Sequence, residues 1–137
     1  MSEKQKLIRI VCVEDEAEMI ELVKMILSRK RSDGVTLEVH GANGGREGIE
    51  LIKEIQPDLI LLDLMMPDVD GWEVYQEIKN NTETSDIPVI ILTAKAQSID
   101  KLLGLHIARV NDYVTKPFGP QELIDSVERV LRENGLL

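Results

Sequence analysis

Side chains that can do chemistry follow four of the five short apolar runs in this sequence. They are Glu14 and Asp15 after the first run, Asp63 after the third, Thr93 and then Ala94 after the fourth, and Lys116 after the fifth. Three carboxylates held close together repel one another, so a cation has to neutralise them. A magnesium ion, Mg²⁺, suits a site with few protein ligands and several waters. With a lysine and a hydroxyl beside it, such a site can stabilise phosphoryl transfer, and a carboxylate can itself be the nucleophile.

Each of these residues also has an ordinary structural explanation. Glu14 and Asp15 could cap the first helix, Thr93 could simply end a strand, and Lys116 could be a surface lysine. Asp63 is the hardest to explain in this way, because a carboxylate at the mouth of a buried strand is not needed to hold a core. The ordinary explanations would all have to hold together at four strand ends, which favours the functional interpretation.

The apolar runs that carry these residues have the composition of β-strands. We predict strands at 7–13, about 36–40, 59–62, 89–92 and about 112–114, three of them nearly all apolar, as covered parallel strands are. Apolar residues at three- and four-residue steps predict helices between the strands, and the last helix is predicted to end at Glu133. This alternation predicts an α/β fold, a flavodoxin-like doubly wound (βα)5 sandwich with a five-stranded parallel sheet in the order 2-1-3-4-5. The carboxyl ends of its strands would bring the polar residues into one pocket.

Length and composition limit the range of functions. We expect a single domain over residues 1–137, with a core at about 6–133 and no effector domain in this chain. The net charge of −9 opposes direct binding to nucleic acid or to an anionic membrane. The single cysteine excludes an internal disulfide, and neither a signal peptide nor a bilayer-spanning run is apparent, so a cytoplasmic setting is expected. The basic run 29–31 is expected to be a solvated helix end, with an acidic partner as the alternative.

In order and spacing, these motifs strongly resemble the receiver domain of two-component response regulators, the CheY-like family. The resemblance covers about residues 6–133. The matching positions are Glu14 and Asp15, Asp63 with Met66, Pro67 and Gly71, Thr93 with Ala94, Tyr113, and Lys116-Pro117-Phe118. The chain departs from the family pattern before the fifth strand, where the usual glycine-containing turn is replaced by Ala108-Arg109-Val110-Asn111.

The resemblance implies a phosphoacceptor signalling switch rather than an enzyme that turns over a separate substrate. Asp63 would take a phosphoryl group from the phosphohistidine of a sensor histidine kinase or phosphotransfer protein. Mg²⁺ would be held by Asp15, Asp63 and the Met65 carbonyl, with Glu14 acting through water. Thr93, Ala94 and Lys116 would contact the phosphoryl group, and the Lys116-Pro117 bond is expected to be cis.

The resemblance also implies how the signal leaves the site. Thr93 and Tyr113 would move together when the phosphoryl group is present. The face formed by the fourth helix, fifth strand and fifth helix of the family would then change shape and bind a downstream protein or effector domain. A homodimer through the same face is a further expectation.

Three other functions are weighed against this one. A degenerate receiver would act only as a protein-interaction module, which the complete set of site residues argues against. A flavodoxin-type electron carrier would need a hydroxyl- and glycine-rich phosphate loop where this chain has Glu14-Asp15-Glu16. A haloacid-dehalogenase-type phosphatase would need a second aspartate at position 65, which is methionine.

Overall fold

The computed structural model describes residues 5–94 and 110–137 of the chain. The elements in these ranges are β1 (Lys6–Val13), α1 (Ala17–Leu27), β2 (Val35–Ala42), α2 (Gly45–Ile55), β3 (Leu59–Asp63), α3 (Gly71–Asn80), β4 (Val89–Thr93), β5 (Asp112–Thr115) and α4 (Pro120–Glu133). Each predicted strand is found within two residues of its expected ends. The helix expected between the fourth and fifth strands, and the altered turn at Ala108-Arg109, lie outside the described residues.

The five strands form one parallel sheet in the order β2-β1-β3-β4-β5, which confirms the predicted topology. The register places Val13 beside Leu62, and Thr93 beside Thr115. Each strand therefore stops at the same edge, which we call the carboxyl edge. The polar residues that end or follow β1, β3, β4 and β5 all emerge there.

Apolar side chains pack on both faces of the sheet because alternate strand residues point to opposite sides. Ile8, Ile10 and Cys12 of β1 belong to one core cluster, with apolar residues of α1 and α4. Val11 and Val13 belong to a second cluster, with residues of α2 and α3. Strands β3 and β4 are buried along their whole length, as their continuous apolar sequences predict.

The ends of the helices also follow from the sequence. The last helix ends at Glu133 as predicted, and Gly135 takes the left-handed conformation that terminates it, with φ of 73°. Helix α1 ends at Leu27, four residues before Arg31. The expectation that 29–31 form a solvated helix end is wrong for Arg31, whose guanidinium is paired with Asp33 and with Glu128 of α4. Among the described helices, none combines the length and the apolarity that a bilayer crossing requires.

Candidate functional site

Asp63 is the last residue of β3 and is buried, with 2% of its surface exposed. Its Oδ1 accepts a hydrogen bond from the backbone N–H of Met65 at 2.9 Å. The following loop folds back tightly, so that the N–H of Gly71 donates to the carbonyl of Leu64 at 3.2 Å. A Cβ at position 71 would lie 2.8 Å from the Asp63 carbonyl oxygen, so only glycine fits there. The spacing from Asp63 to Gly71 thus reflects how closely the start of α3 approaches the end of β3.

Lys116 joins two buried carboxylates across the carboxyl edge. Its ammonium donates to Glu14 Oε1 in a close ion pair and lies 3.5 Å from Asp63 Oδ2. The Glu14 side chain is fully buried and that of Lys116 is 12% exposed. The backbone fixes the lysine here, because the Lys116 N–H donates to the carbonyl of Thr93 at 2.7 Å. One cation is therefore shared by carboxylates from two different strands.

The charges of this group perturb one another. The pKa of Glu14 is raised to about 7, chiefly by burial; the hydrogen bond from Lys116 opposes this shift and the neighbouring Asp63 adds to it. Burial alone would lower the pKa of Lys116, but the hydrogen bond to Glu14 and the charge of Asp63 outweigh it, so the net shift of that pKa is upward. The site thus holds a fully charged lysine and more negative charge than one lysine can neutralise.

Asp15 extends the acidic group toward solvent. The carboxylate oxygens of Glu14, Asp15 and Glu16 lie within 4.8 Å of one another, which is close enough to share one metal ion. Of the predicted magnesium ligands, Asp15 therefore lies next to Glu14. Asp63 is connected to Glu14 through Lys116, whose ammonium contacts both carboxylates. Hard carboxylate oxygens carrying surplus negative charge fit a hard divalent cation such as Mg²⁺.

Thr93 ends β4 and is completely buried. Its Oγ1 has no hydrogen-bond partner within residues 5–94 and 110–137. A buried hydroxyl left without a partner costs free energy, so a ligand oxygen that reaches it would bind more tightly. The next residue, Ala94, is exposed.

A family model described as the response regulator receiver domain matches residues 10–128 of this chain. The chain belongs to this family.

Solved structures support the assignment. A protein of Chloroflexus aurantiacus described as a response regulator is 30% identical, with a TM-score of 0.78, and the match covers 93% of this chain and 99% of that one. The chemotaxis response regulator CheY4 of Vibrio cholerae is 25% identical, with a TM-score of 0.78 and coverage of 92% and 100%. A response regulator receiver domain protein of Clostridium thermocellum is 26% identical, with a TM-score of 0.77 and coverage of 94% and 98%. Receiver domains are in general signalling switches and not turnover enzymes.

Three further features of this receiver domain lie near the site. The Lys116-Pro117 peptide bond is cis, as expected from the resemblance. Tyr113 on β5 is 43% exposed. The Met65 side chain is also exposed, at 54%, so the loop presents an apolar group at the rim of the site.

The sequence prediction missed two residues of this receiver's carboxyl edge. Glu16 was not named as part of the acidic group, although its place in the run Glu14-Asp15-Glu16 is a direct signal. Asp68 was not named either. Its carboxylate accepts a hydrogen bond from the backbone of Gly45 at 3.0 Å, a contact between distant segments. The glycine pair at 44–45 is the only trace of that contact in the sequence.

Proposed function

We propose that Asp63 accepts a phosphoryl group and that the receiver domain works as a phosphorylation switch. A carboxylate oxygen of Asp63 attacks the phosphorus of a phosphohistidine, the new P–O bond forms, and the P–N bond breaks. The electron pair of that bond stays on the imidazole, which takes up a proton. With a small acyl phosphate as donor, the bond that breaks is the P–O bond to the acyl group. The chain returns to its resting state when water hydrolyses the aspartyl phosphate.

The residues around Asp63 have separate parts in this step. Lys116 is already charged and 3.5 Å from Asp63, so it can pair with a phosphoryl oxygen as the group arrives. The buried Thr93 hydroxyl can donate to a second phosphoryl oxygen, which would satisfy its hydrogen-bonding capacity. Ala94 is small and exposed and leaves room for the incoming group.

The acidic group would hold Mg²⁺, with Asp15, Asp63 and the Met65 carbonyl as ligands and Glu14 acting through a water. When bound, the ion neutralises charge that develops on the phosphoryl oxygens. The support is the close approach of the Glu14, Asp15 and Glu16 carboxylates, and the pKa of Glu14, which burial and then the neighbouring Asp63 raise. Glu16 is a further candidate to hold a metal-bound water.

The response would pass from Thr93 to Tyr113. Phosphorylation adds a charge of about −1.5 to −2 at Asp63. Movement of Thr93 toward that charge would open space into which the exposed Tyr113 ring could turn, a shift between two packings. The proposed phosphodonor is a sensor histidine kinase or a phosphotransfer protein. The proposed binding partner of the phosphorylated form is a downstream protein, an effector domain or a second copy of the chain. A cytoplasmic setting and a single receiver domain over residues 1–137 belong to the same proposal.

The observation that carries the proposal is one lysine shared between two buried carboxylates, beside a buried hydroxyl that has no partner in the described part of the chain. Its test is incubation with acetyl phosphate and Mg²⁺, followed by measurement of the intact mass. We expect a single added phosphoryl group, none when EDTA replaces Mg²⁺, and none in Asp63→Asn.

The control is Asp58→Asn, which alters an aspartate at the opposite end of β3 and should leave phosphorylation unchanged. An unmodified wild-type chain would overturn the proposal in favour of a receiver that acts only through protein contacts. An undiminished adduct in Asp63→Asn would place the phosphoryl group elsewhere.

A further inference from the structure

Helix α2 begins without a capping side chain of its own. Its N-cap residue is Gly44 and its first helical residue is Gly45, so neither offers an oxygen to the free N–H groups of the first turn. A helix start of this kind is destabilised relative to one capped by serine, threonine, aspartate or asparagine. Both glycines are buried, so water has little access to these groups.

The missing cap is supplied by Asp68, 23 residues further along the chain. The N–H of Gly45 donates to Asp68 Oδ2 at 3.0 Å. The negative charge of Asp68 also lies at the positive end of the α2 dipole, where it is favourable. Asp68 belongs to the loop between β3 and α3, so this bond connects α2 with the loop that follows Asp63.

The packing shows why two glycines stand at this contact. A Cβ on Gly44 would lie 2.8 Å from Asp68 Oδ2, and a Cβ on Gly45 would lie 2.9 Å from the Cβ of Val69. A side chain at position 44 would displace the Asp68 carboxylate, and one at position 45 would press against Val69. The absence of side chains at positions 44 and 45 is what lets the side chains of the loop reach the start of α2.

The loop itself is closed at its base next to Asp63. Residues Met65 and Asp70 form an antiparallel bridge, and the N–H of Met65 donates to Asp63 Oδ1. Asp70 caps α3, its Oδ1 accepting from the N–H of Trp72 at 2.9 Å. Asp68 thus lies at the tip of the loop, where it contacts α2. The base of the same loop contains the Met65 backbone, which is hydrogen-bonded to the Asp63 carboxylate.

We propose that Asp68 is a positioning residue for the phosphorylation site: by capping α2 it holds the β3–α3 loop, and with it the Met65 backbone, in the geometry that receives Mg²⁺. This inference rests on the proposed function, because it assigns the Met65 carbonyl to the cation. Asp68 itself touches neither the cation nor the phosphoryl group. It acts through the position of the loop.

The test measures Mg²⁺ binding without any phosphodonor, from the fluorescence of the single tryptophan, Trp72, which follows Gly71. We expect Asp68→Ala to raise the Mg²⁺ concentration at half-saturation about two- to fivefold, the upper figure being the full loss of one capping hydrogen bond. Asp68→Asn keeps an oxygen that can cap the helix and should restore binding to within about twofold of wild type. The rate of phosphorylation from acetyl phosphate at low Mg²⁺ should fall in parallel, and the difference should vanish at saturating Mg²⁺.

The matched control is Asp58→Ala. Asp58 Oδ2 also accepts a backbone hydrogen bond, from Arg9 at 2.9 Å, and the substitution removes the same charge. It lies five residues before Asp63, about 16 Å along an extended strand. Asp58→Ala should lower the melting temperature to an extent comparable with Asp68→Ala but leave Mg²⁺ binding unchanged.

Gly44→Ala provides an independent test, because its new methyl group would displace the Asp68 carboxylate. We expect Gly44→Ala to weaken Mg²⁺ binding as Asp68→Ala does, and the double variant to be no weaker than either single one. Equal binding in wild type, Asp68→Ala and Asp58→Ala would overturn the inference, as would an Asp68→Asn variant as weak as Asp68→Ala. If wild type forms no phosphoryl adduct, the proposed function fails. If it forms the adduct and the Asp68 variants bind Mg²⁺ normally, only this inference fails.

Discussion

Two ion clusters with the same number of charges lie at opposite ends of the strands. We call the end where the strands begin the amino edge. At the carboxyl edge, Lys116 is shared by Glu14 and Asp63. At the amino edge, Arg31 is shared by Asp33 and Glu128. Each cluster therefore contains one cation and two carboxylates, but near the first, within the described residues, the buried Thr93 hydroxyl also lacks a hydrogen-bond partner.

The amino-edge cluster is complete. Arg31 makes a two-pronged contact with Asp33, at 3.1 and 2.6 Å, and a further bond of 2.7 Å to Glu128 on α4. The hydrogen bond from Arg31 lowers the pKa of Asp33, as expected for a paired and solvated carboxylate. This cluster ties the α1–β2 connection to the last helix.

The carboxyl-edge cluster is incomplete. The side chains of Glu14 and Asp63 are 0% and 3% exposed, compared with 43% and 28% for Asp33 and Glu128. Burial raises the pKa of Glu14, and the nearby Thr93 hydroxyl has no partner among the described residues. The two clusters carry the same number of charges, so burial and the unsatisfied hydroxyl are what distinguish the proposed phosphorylation site from the cluster at Arg31.

The largest effect should come from removing the buried cation. Lys116→Met leaves two buried carboxylates uncompensated, so we expect the free energy of unfolding to fall by about 3 kcal/mol at pH 8 in EDTA. The loss should be smaller at pH 5, where Glu14 takes up a proton, and Mg²⁺ should recover part of it. Urea unfolding at the two pH values measures the loss in the free energy of unfolding. A loss of the same size at both pH values would contradict the charge imbalance at the carboxyl edge.

Glu14→Gln should change the pH dependence of stability. The pKa of Glu14 is about 7 in the folded protein against 4.5 ordinarily, so the folded state binds the proton more tightly. The contribution of Glu14 to the free energy of unfolding is fully present below pH 4.5. It is lost as the pH rises to about 7, at no more than about 1.4 kcal/mol per pH unit. Urea unfolding in EDTA across this window should show the slope in wild type and not in Glu14→Gln. Equal slopes would show that Glu14 is not the group responsible.

Two buried threonines allow a sharper comparison of satisfied and unsatisfied groups. Thr84 Oγ1 donates to the carbonyl of Ile78 at 2.6 Å, whereas Thr93 Oγ1 has no partner in the described ranges. We expect Thr84→Val to destabilise the fold by about 1 kcal/mol, and Thr93→Val to be neutral or stabilising by up to about 1 kcal/mol. Thermal unfolding of both variants measures the two changes in stability. Equal destabilisation would mean that the Thr93 hydroxyl is already satisfied.

The smallest effect is expected at the amino edge. Arg31→Met removes a partly exposed cluster, so the melting temperature should fall by only a few degrees, with little change between pH 5 and pH 8. Mg²⁺ binding and phosphorylation from acetyl phosphate should be those of wild type. An Arg31→Met variant that binds Mg²⁺ more weakly would remove the distinction between the two clusters.

The sequence predicted most of the fold because its signals are local. Strands β3 and β4 are short, continuous apolar runs, and each ends in the polar residue that the structure places at the carboxyl edge. The grouping of Glu14, Asp63 and Lys116 followed from the rule that parallel strands end at one edge.

What the sequence did not predict depends on contacts between distant segments. Asp68 caps a helix that begins 23 residues earlier, and Arg31 reaches Glu128 across 97 residues, so neither pairing has a local pattern. The raised pKa of Glu14 depends on its complete burial, which an acidic run beside Asp15 and Glu16 does not reveal.

The central claim is that the phosphoryl group is carried by the Asp63 carboxylate. Its most direct test is to phosphorylate the wild-type protein with acetyl phosphate and Mg²⁺, reduce the aspartyl phosphate with borohydride, and locate the resulting homoserine by peptide mass spectrometry. The account predicts homoserine at position 63 alone, and none when the donor or Mg²⁺ is left out. Homoserine at position 15, or no conversion of any aspartate, would contradict it.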